Sequence, residues 1–127
     1  MTDIASITPT TRTHEIKDPR TGEPIGIRVQ LLPNSDEGVK KIIRQLTDRA
    51  NQQRLRGKIV TAAELEEYAT KLISVQVVAW EWCGDVTFKG EKPEYSAANV
   101  AKVCTELAWF RDDIDEAIGD TKRFFTT

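Results

Sequence analysis

Histidine and cysteine are scarce in this chain, and each shortage closes a class of chemistry. One histidine, His14, and two cysteines, Cys83 and Cys104, are the whole supply in 127 residues. Protein metal sites draw three or four ligands from such residues at recurring spacings. Here there is no CxxC and no second histidine, so neither a metal nor another cofactor is expected. The cysteines are far apart and no secretion signal is expected ahead of them, so they are expected as two free, buried thiols in a reducing cytosol. Long apolar runs are also missing. The longest, residues 72–83, is broken by Ser74, Gln76 and Glu81 and falls short of the ~20 residues that cross a membrane. The opening MTDIASITPTTRT lacks the basic-then-apolar order of a secretion signal. An excess of one charge is absent too. The net charge of −2 gives no global pull toward nucleic acid or anionic lipid. No P-loop, GxGxxG or nucleophile elbow occurs.

What remains is the composition of an ordinary soluble domain, 39% hydrophobic and 30% charged. Residues 1–12, rich in Thr, Ser and Pro with Ile4 and Ile7 as the large apolar residues, are expected to form a flexible N-terminal arm. Residues 13–127 are expected to form one α+β domain: an N-terminal β-hairpin packed on a small bundle of three to four helices. The hairpin is the strongest local signal. Ile25, Ile27, Val29 and Leu31 occupy alternate positions, which puts them on one face of a strand. His14 and Ile16 share a parity on a shorter partner strand. Between them, Asp18-Pro19-Arg20-Thr21-Gly22-Glu23-Pro24 carries the residues that turns require.

Helices follow. Ser35 is a candidate N-cap, with Asp36 and Glu37 in the first turn, and Val39, Ile42, Ile43, Leu46 and Ala50 keep helical spacing until Gly57. Thr61-Ala62-Ala63-Glu64 reads as a capping box. It opens a second helix, apolar on nearly every side in its second half, expected to run at least to Ala79. The strand formers in residues 75–82 leave a strand there as the alternative. After a short extended piece and turn at residues 86–90, Ser96 caps a third helix with Val100, Val103, Cys104, Leu107 and Phe110. A fourth is expected to open at Asp112 or Asp113 and end at Gly119.

Carboxylates cluster at Glu64, Glu66 and Glu67 and again at Asp112, Asp113, Asp115 and Glu116. Placed at helix N-termini they serve the helix dipole, whereas catalytic carboxylates need a cleft and a perturbed environment; the chain is not expected to be an enzyme. His14 reads as a half-buried strand histidine. Two charge blocks oppose each other. Between Lys40 and Lys58 seven bases, including Lys41, Arg44 and Arg49, accompany one acid; between Glu106 and Asp120 six acids accompany one base. They read as solvated helix faces or as complementary surfaces that join copies head to tail. A nucleic-acid surface is the third option, weakened by the overall acidity and by the lack of interleaved aromatics. Trp80 and Trp82 are expected in the core. Trp109, Phe110, Phe124 and Phe125 are expected partly exposed, as a partner-binding patch.

The order of these features resembles the tail assembly chaperones of long-tailed bacteriophages, the lambda-like and HK97-like group. Four stretches carry the resemblance: Asp18-Pro19-Arg20-Thr21-Gly22-Glu23-Pro24-Ile25-Gly26; residues 72–82, ending in tryptophans; Tyr95-Ser96-Ala97-Ala98-Asn99-Val100; and the acidic C-terminal helix followed by Phe124. Together they span about residues 13–125. The resemblance implies a protein of the host bacterial cytoplasm that binds the tape-measure protein, keeps it soluble, and is absent from the mature virion. It also implies a longer form, made by ribosomal frameshifting, that recruits the tail tube protein. A homo-oligomer without membrane or nucleic-acid partners is expected, with Lys40, Lys41, Arg44, Arg49, Trp109, Phe110, Asp112, Asp113, Phe124 and Phe125 as partner-binding residues. The rival readings are a head–tail or tail completion protein that stays in the virion, and a small nucleic-acid-binding regulator.

Overall fold

The computed structural model describes residues 3–125. The alternating pattern forms the expected hairpin, β1 (Arg12–Lys17) and β2 (Pro24–Leu31), paired antiparallel with Thr13 opposite Gln30 and Glu15 opposite Arg28. Asp18 closes it. Its backbone N–H donates to the Glu23 carbonyl at 2.8 Å and its carboxylate accepts the Arg20 backbone N–H at 2.8 Å. The hydrogen bonds from Arg20 hold the Asp18 carboxyl down at about 2. Gly22 supplies the left-handed φ of +76° that completes the turn.

A third strand joins this hairpin. Helix α1 (Glu37–Leu55) leads through a turn at Gly57 to α2 (Ala62–Gln76), and β3 (Val77–Trp82) follows α2 with no linker. The expectation of a helix to Ala79 is therefore corrected. Cap and helix length are local signals, and they lose to the free edge of β2. Val29 pairs with Trp80 and Ile27 with Trp82, so the tryptophans share the core-facing side of the sheet. Sheet order is β1-β2-β3, all antiparallel. The opposite face presents Thr13, Glu15, Arg28, Gln30 and Glu81, all exposed, with Arg28 and Glu15 paired at 3.2 Å.

Two short helices complete the layer. Ser96 caps α3 (Ala97–Glu106) by accepting the Asn99 N–H at 3.0 Å, as expected. Helix α4 (Ala108–Gly119) starts four residues before Asp112, at an extended Leu107 with no side-chain cap. Its acids consequently lie mid-helix, not at the N-terminus. The apolar spacing Phe110, Ile114, Ala117, Ile118 extends the buried face upstream and sets the helix start. Two capping details differ as well. Asp36, not Ser35, caps α1 by accepting the Val39 N–H. At Thr61 the hydroxyl accepts the Glu64 N–H at 3.2 Å, whereas Glu64 Oε2 is buried without a hydrogen-bond partner, so only half of the capping box forms.

The core lies between the sheet and helices α2, α3 and α4, with Ile16, Val29, Leu31, Val77, Phe110 and Ile114 among its most buried members. Cys104 sits in it, its thiol pushed up to about 12 by burial, while Cys83 is half-buried; both are free. Phe124, on a final 3-10 turn (Thr121–Phe124), is 1% exposed. Its carbonyl accepts the Thr10 N–H at 2.7 Å, which ties the segment before β1 to the C-terminal turn.

Hydrogen bonds tie both outer strands of the sheet to neighbouring segments. Along β1, the Lys17 N–H donates to Asp113 Oδ2 at 2.9 Å and Arg12 Nη1 donates to the Ala117 carbonyl. Along β3, Tyr95 Oη donates to the Val77 carbonyl at 2.7 Å and the Trp80 indole donates to the Pro93 carbonyl at 3.1 Å.

Candidate functional site

The sequence-derived site residues separate into three groups. Phe110 and Phe124 are buried at 1% exposure and form no surface patch, because each supplies the apolar bulk under a short C-terminal element. Trp109 is half-buried against the Phe110 ring, edge-on at 6.0 Å, and Phe125 remains exposed. Asp113 turns inward. Its Oδ1 lies 3.1 Å from His14 Nε2 while Oδ2 holds the Lys17 N–H, so this carboxylate fastens α4 to β1. Asp112 is exposed beside Arg111 at 3.6 Å.

Lys40 is partly exposed, and Lys41, Arg44 and Arg49 are exposed, on α1, which packs on α2 and has just two buried residues, Val39 and Ala50. Among the described residues, no ion pair joins the basic α1 to the acidic α4 within the chain. Lys40 approaches Glu37 at 3.8 Å, Glu106 meets Lys89 at 2.8 Å and Asp120 meets Arg123 at 3.4 Å.

His14 sits in an open polar cleft between β1 and α4 that also holds Arg12, Asp120 and Arg123. Burial lowers its pKa below the ordinary 6.5, and the neighbouring Asp113 offsets that only in part. The unfolded chain therefore takes up this proton first as pH falls. Stability from this group is complete above about pH 6.5 and declines as pH drops toward the lower folded value. His14→Gln, which keeps a donor for Asp113, is expected to flatten this acid-side decline. Urea unfolding of both proteins at about pH 7.5 and about pH 5.5 checks it; equal losses in the two would contradict the assignment.

The feature that sequence reasoning missed is a groove. Ile43, Leu46, Ala50 and Arg54 of α1 face Leu65, Tyr68, Ala69 and Leu72 of α2 across an open trough of about 310 Å³. Its lining is mainly apolar. Leu65 is 50% exposed within it, and Leu55 and Ile59 at the tip of the helical hairpin are 87% and 85% exposed. Helical spacing explains the trough. The α1 apolar stripe and the 65, 68, 69, 72 stripe of α2 meet along one edge and diverge along the other. Because the core closes over the sheet without α1, nothing else in the described chain covers that opening. A signal existed in the sequence, since α2 carries apolar residues on more sides than one neighbour can bury.

Among the described residues, no group of three His, Cys, Asp or Glu is gathered as a metal site would require, and no helix is long and apolar enough to cross a membrane. Comparison with known proteins finds no matching family, no matching curated protein and no matching solved structure.

Proposed function

We propose that this α+β protein is a tail assembly chaperone of a long-tailed bacteriophage, working in the host cytoplasm to cover apolar helical segments of the tape-measure protein. The observation that carries the reading is the open apolar groove of the α1–α2 hairpin, with Leu55 and Ile59 exposed at the tip of the same hairpin. Small proteins that shield amphipathic helices do so by laying the helix into such a trough. Exposed apolar surface of this kind marks interaction sites on folded domains.

The four stretches that resemble the chaperone family all carry structural duties: the β1–β2 turn, the α2–β3 junction, the α3 cap, and the C-terminal helix with its buried phenylalanine. The resemblance therefore attaches to positions that build the fold, and the role it implies rests on the groove. In this reading, copies associate weakly through the opposed charges of α1 and α4, and a longer frameshifted form brings the tail tube protein. Modest contacts repeated along a long client give a coat that holds yet can be displaced.

Co-expression with a tape-measure protein from the same genome tests the proposal. The tape-measure chain is expected to move from the pellet to the soluble fraction when this protein is present, and purified virions are expected to lack it by mass spectrometry. A tape-measure protein that stays insoluble would overturn the reading. Finding the chain in virions would transfer it to the head–tail completion class.

A further inference from the structure

The two banks of the α1–α2 groove differ in charge. On α1, Lys40, Arg44, Thr47, Asn51 and Arg54 follow one another at alternating steps of four and three, which lines them up along a single edge of the helix. Thr47, Asn51 and Arg54 of this line are in the groove wall itself. The line holds three cations and no acid. Among the described residues, the only charged one in the groove wall is Arg54, whose Nη1 reaches Asn51 Oδ1 at 3.4 Å, a neutral partner.

On α2 the bank is Leu65, Tyr68, Ala69 and Leu72. Of the three α2 acids, Glu66 and Glu67 line a separate cleft that includes Lys71 and Arg111, and Glu64 is not part of the groove wall. Positive charge is thus concentrated on one side of the trough, with apolar surface on the other. From Ile43 to Arg54 the α1 wall runs roughly 16 Å, or three helical turns.

We propose that this groove binds about three turns of an acidic amphipathic helix from a partner protein, with apolar anchors seated against Ile43, Leu46, Leu65 and Leu72 and carboxylates along the Arg44–Arg54 edge. The inference rests on the chaperone reading and adds to it the site and the chemistry of the client segment. Anchors at i, i+3 or i+4, and i+7 match the spacing of the trough walls. The charged flank selects the orientation, since a helix placed the wrong way round sets its neutral or basic side against Arg44 and Arg54. This chain's own acidic helix does not fit the description, because the apolar stripe of α4 is already buried in its own core.

The test is fluorescence polarisation with the full chain and two synthetic amphipathic helices that share a leucine stripe, one flanked by glutamates and the other by lysines. The glutamate helix is expected to bind at least about tenfold tighter. Arg44→Glu with Arg54→Glu is expected to reverse the preference, and Leu65→Glu to weaken both helices about tenfold or more. Leu65 is half exposed, and unchanged circular dichroism spectra confirm folding of each variant. Equal binding of the two helices, binding of neither, or indifference to Leu65→Glu would overturn the proposal. So would a dimer, seen by sedimentation, that Leu65→Glu dissolves, since the occupant would then be a second copy. The co-expression assay separates the two levels. If Leu65→Glu protein still solubilises the tape-measure chain, the groove assignment fails and the chaperone reading stands. If the unaltered protein does not solubilise it, the chaperone reading fails whatever the synthetic helices do.

Discussion

Phe110→Ala is expected to lower stability by about 3–5 kcal/mol, the range for emptying a buried phenylalanine site. The ring is 1% exposed, belongs to the main apolar cluster and meets Trp109 edge-on. Domains of this size are stable by only about 5–15 kcal/mol, so the variant should have a much lower urea midpoint or fail to accumulate. Phe125→Ala provides the contrast. That ring is 40% exposed, and its loss should shift stability by no more than about 0.5 kcal/mol. The two residues look alike in sequence, each an aromatic near a polar C-terminus. Equal losses on denaturant unfolding would contradict the packing described for α4.

Gly26→Ala is expected to be comparably damaging, by at least about 3 kcal/mol, through backbone and not through a cavity. Gly26 has φ +97°, a region L side chains rarely adopt, and a Cβ there would lie 2.7 Å from the Cys83 carbonyl oxygen. That approach is fixed, because the Cys83 N–H donates to the Gly26 carbonyl at 2.8 Å and continues the β2–β3 pairing past Trp82. Gly22→Ala separates the two causes. Gly22 also has positive φ, +76°, and a Cβ there would meet nothing within 4 Å, so it should lose only the conformational part, about 1–2 kcal/mol. Thermal unfolding of the pair reads the difference; a Gly26 variant no worse than the Gly22 variant would mean that the Cys83 strand end can move aside.

These residues also show where sequence was sufficient. The hairpin could be read because alternation and turn chemistry lie within twenty consecutive residues (13–32), and Ser96 and Thr61 marked their helices because a cap acts on backbone three positions away. Strand β3 could not be settled that way. Val77–Trp82 suits either state locally, and what decides it is the pairing edge of β2, some fifty residues upstream. The same distance effect misplaced the aromatics. Phe124 is internal because β1, the segment before it and α4 close around the chain's last described turn, and none of those neighbours is near it in sequence except α4. Of the candidate site, the basic block on α1 was legible as composition. Its apolar companion was not, because Ile43 and Leu46 show only helical spacing in the sequence, and that α1 lies outside the main cluster is a tertiary fact.

That placement of α1 has an energetic consequence. Cooperative units of a native protein open with free energies set by how much apolar surface each one closes. Helix α1 closes little, with Val39 and Ala50 its two buried residues, whereas α2 is anchored by Ile73 and runs without a break into β3. Fluctuations that lift α1 away therefore leave the sheet and the α2–α3–α4 layer intact. Such opening would uncover Leu65, Tyr68 and Leu72, the α2 wall of the trough.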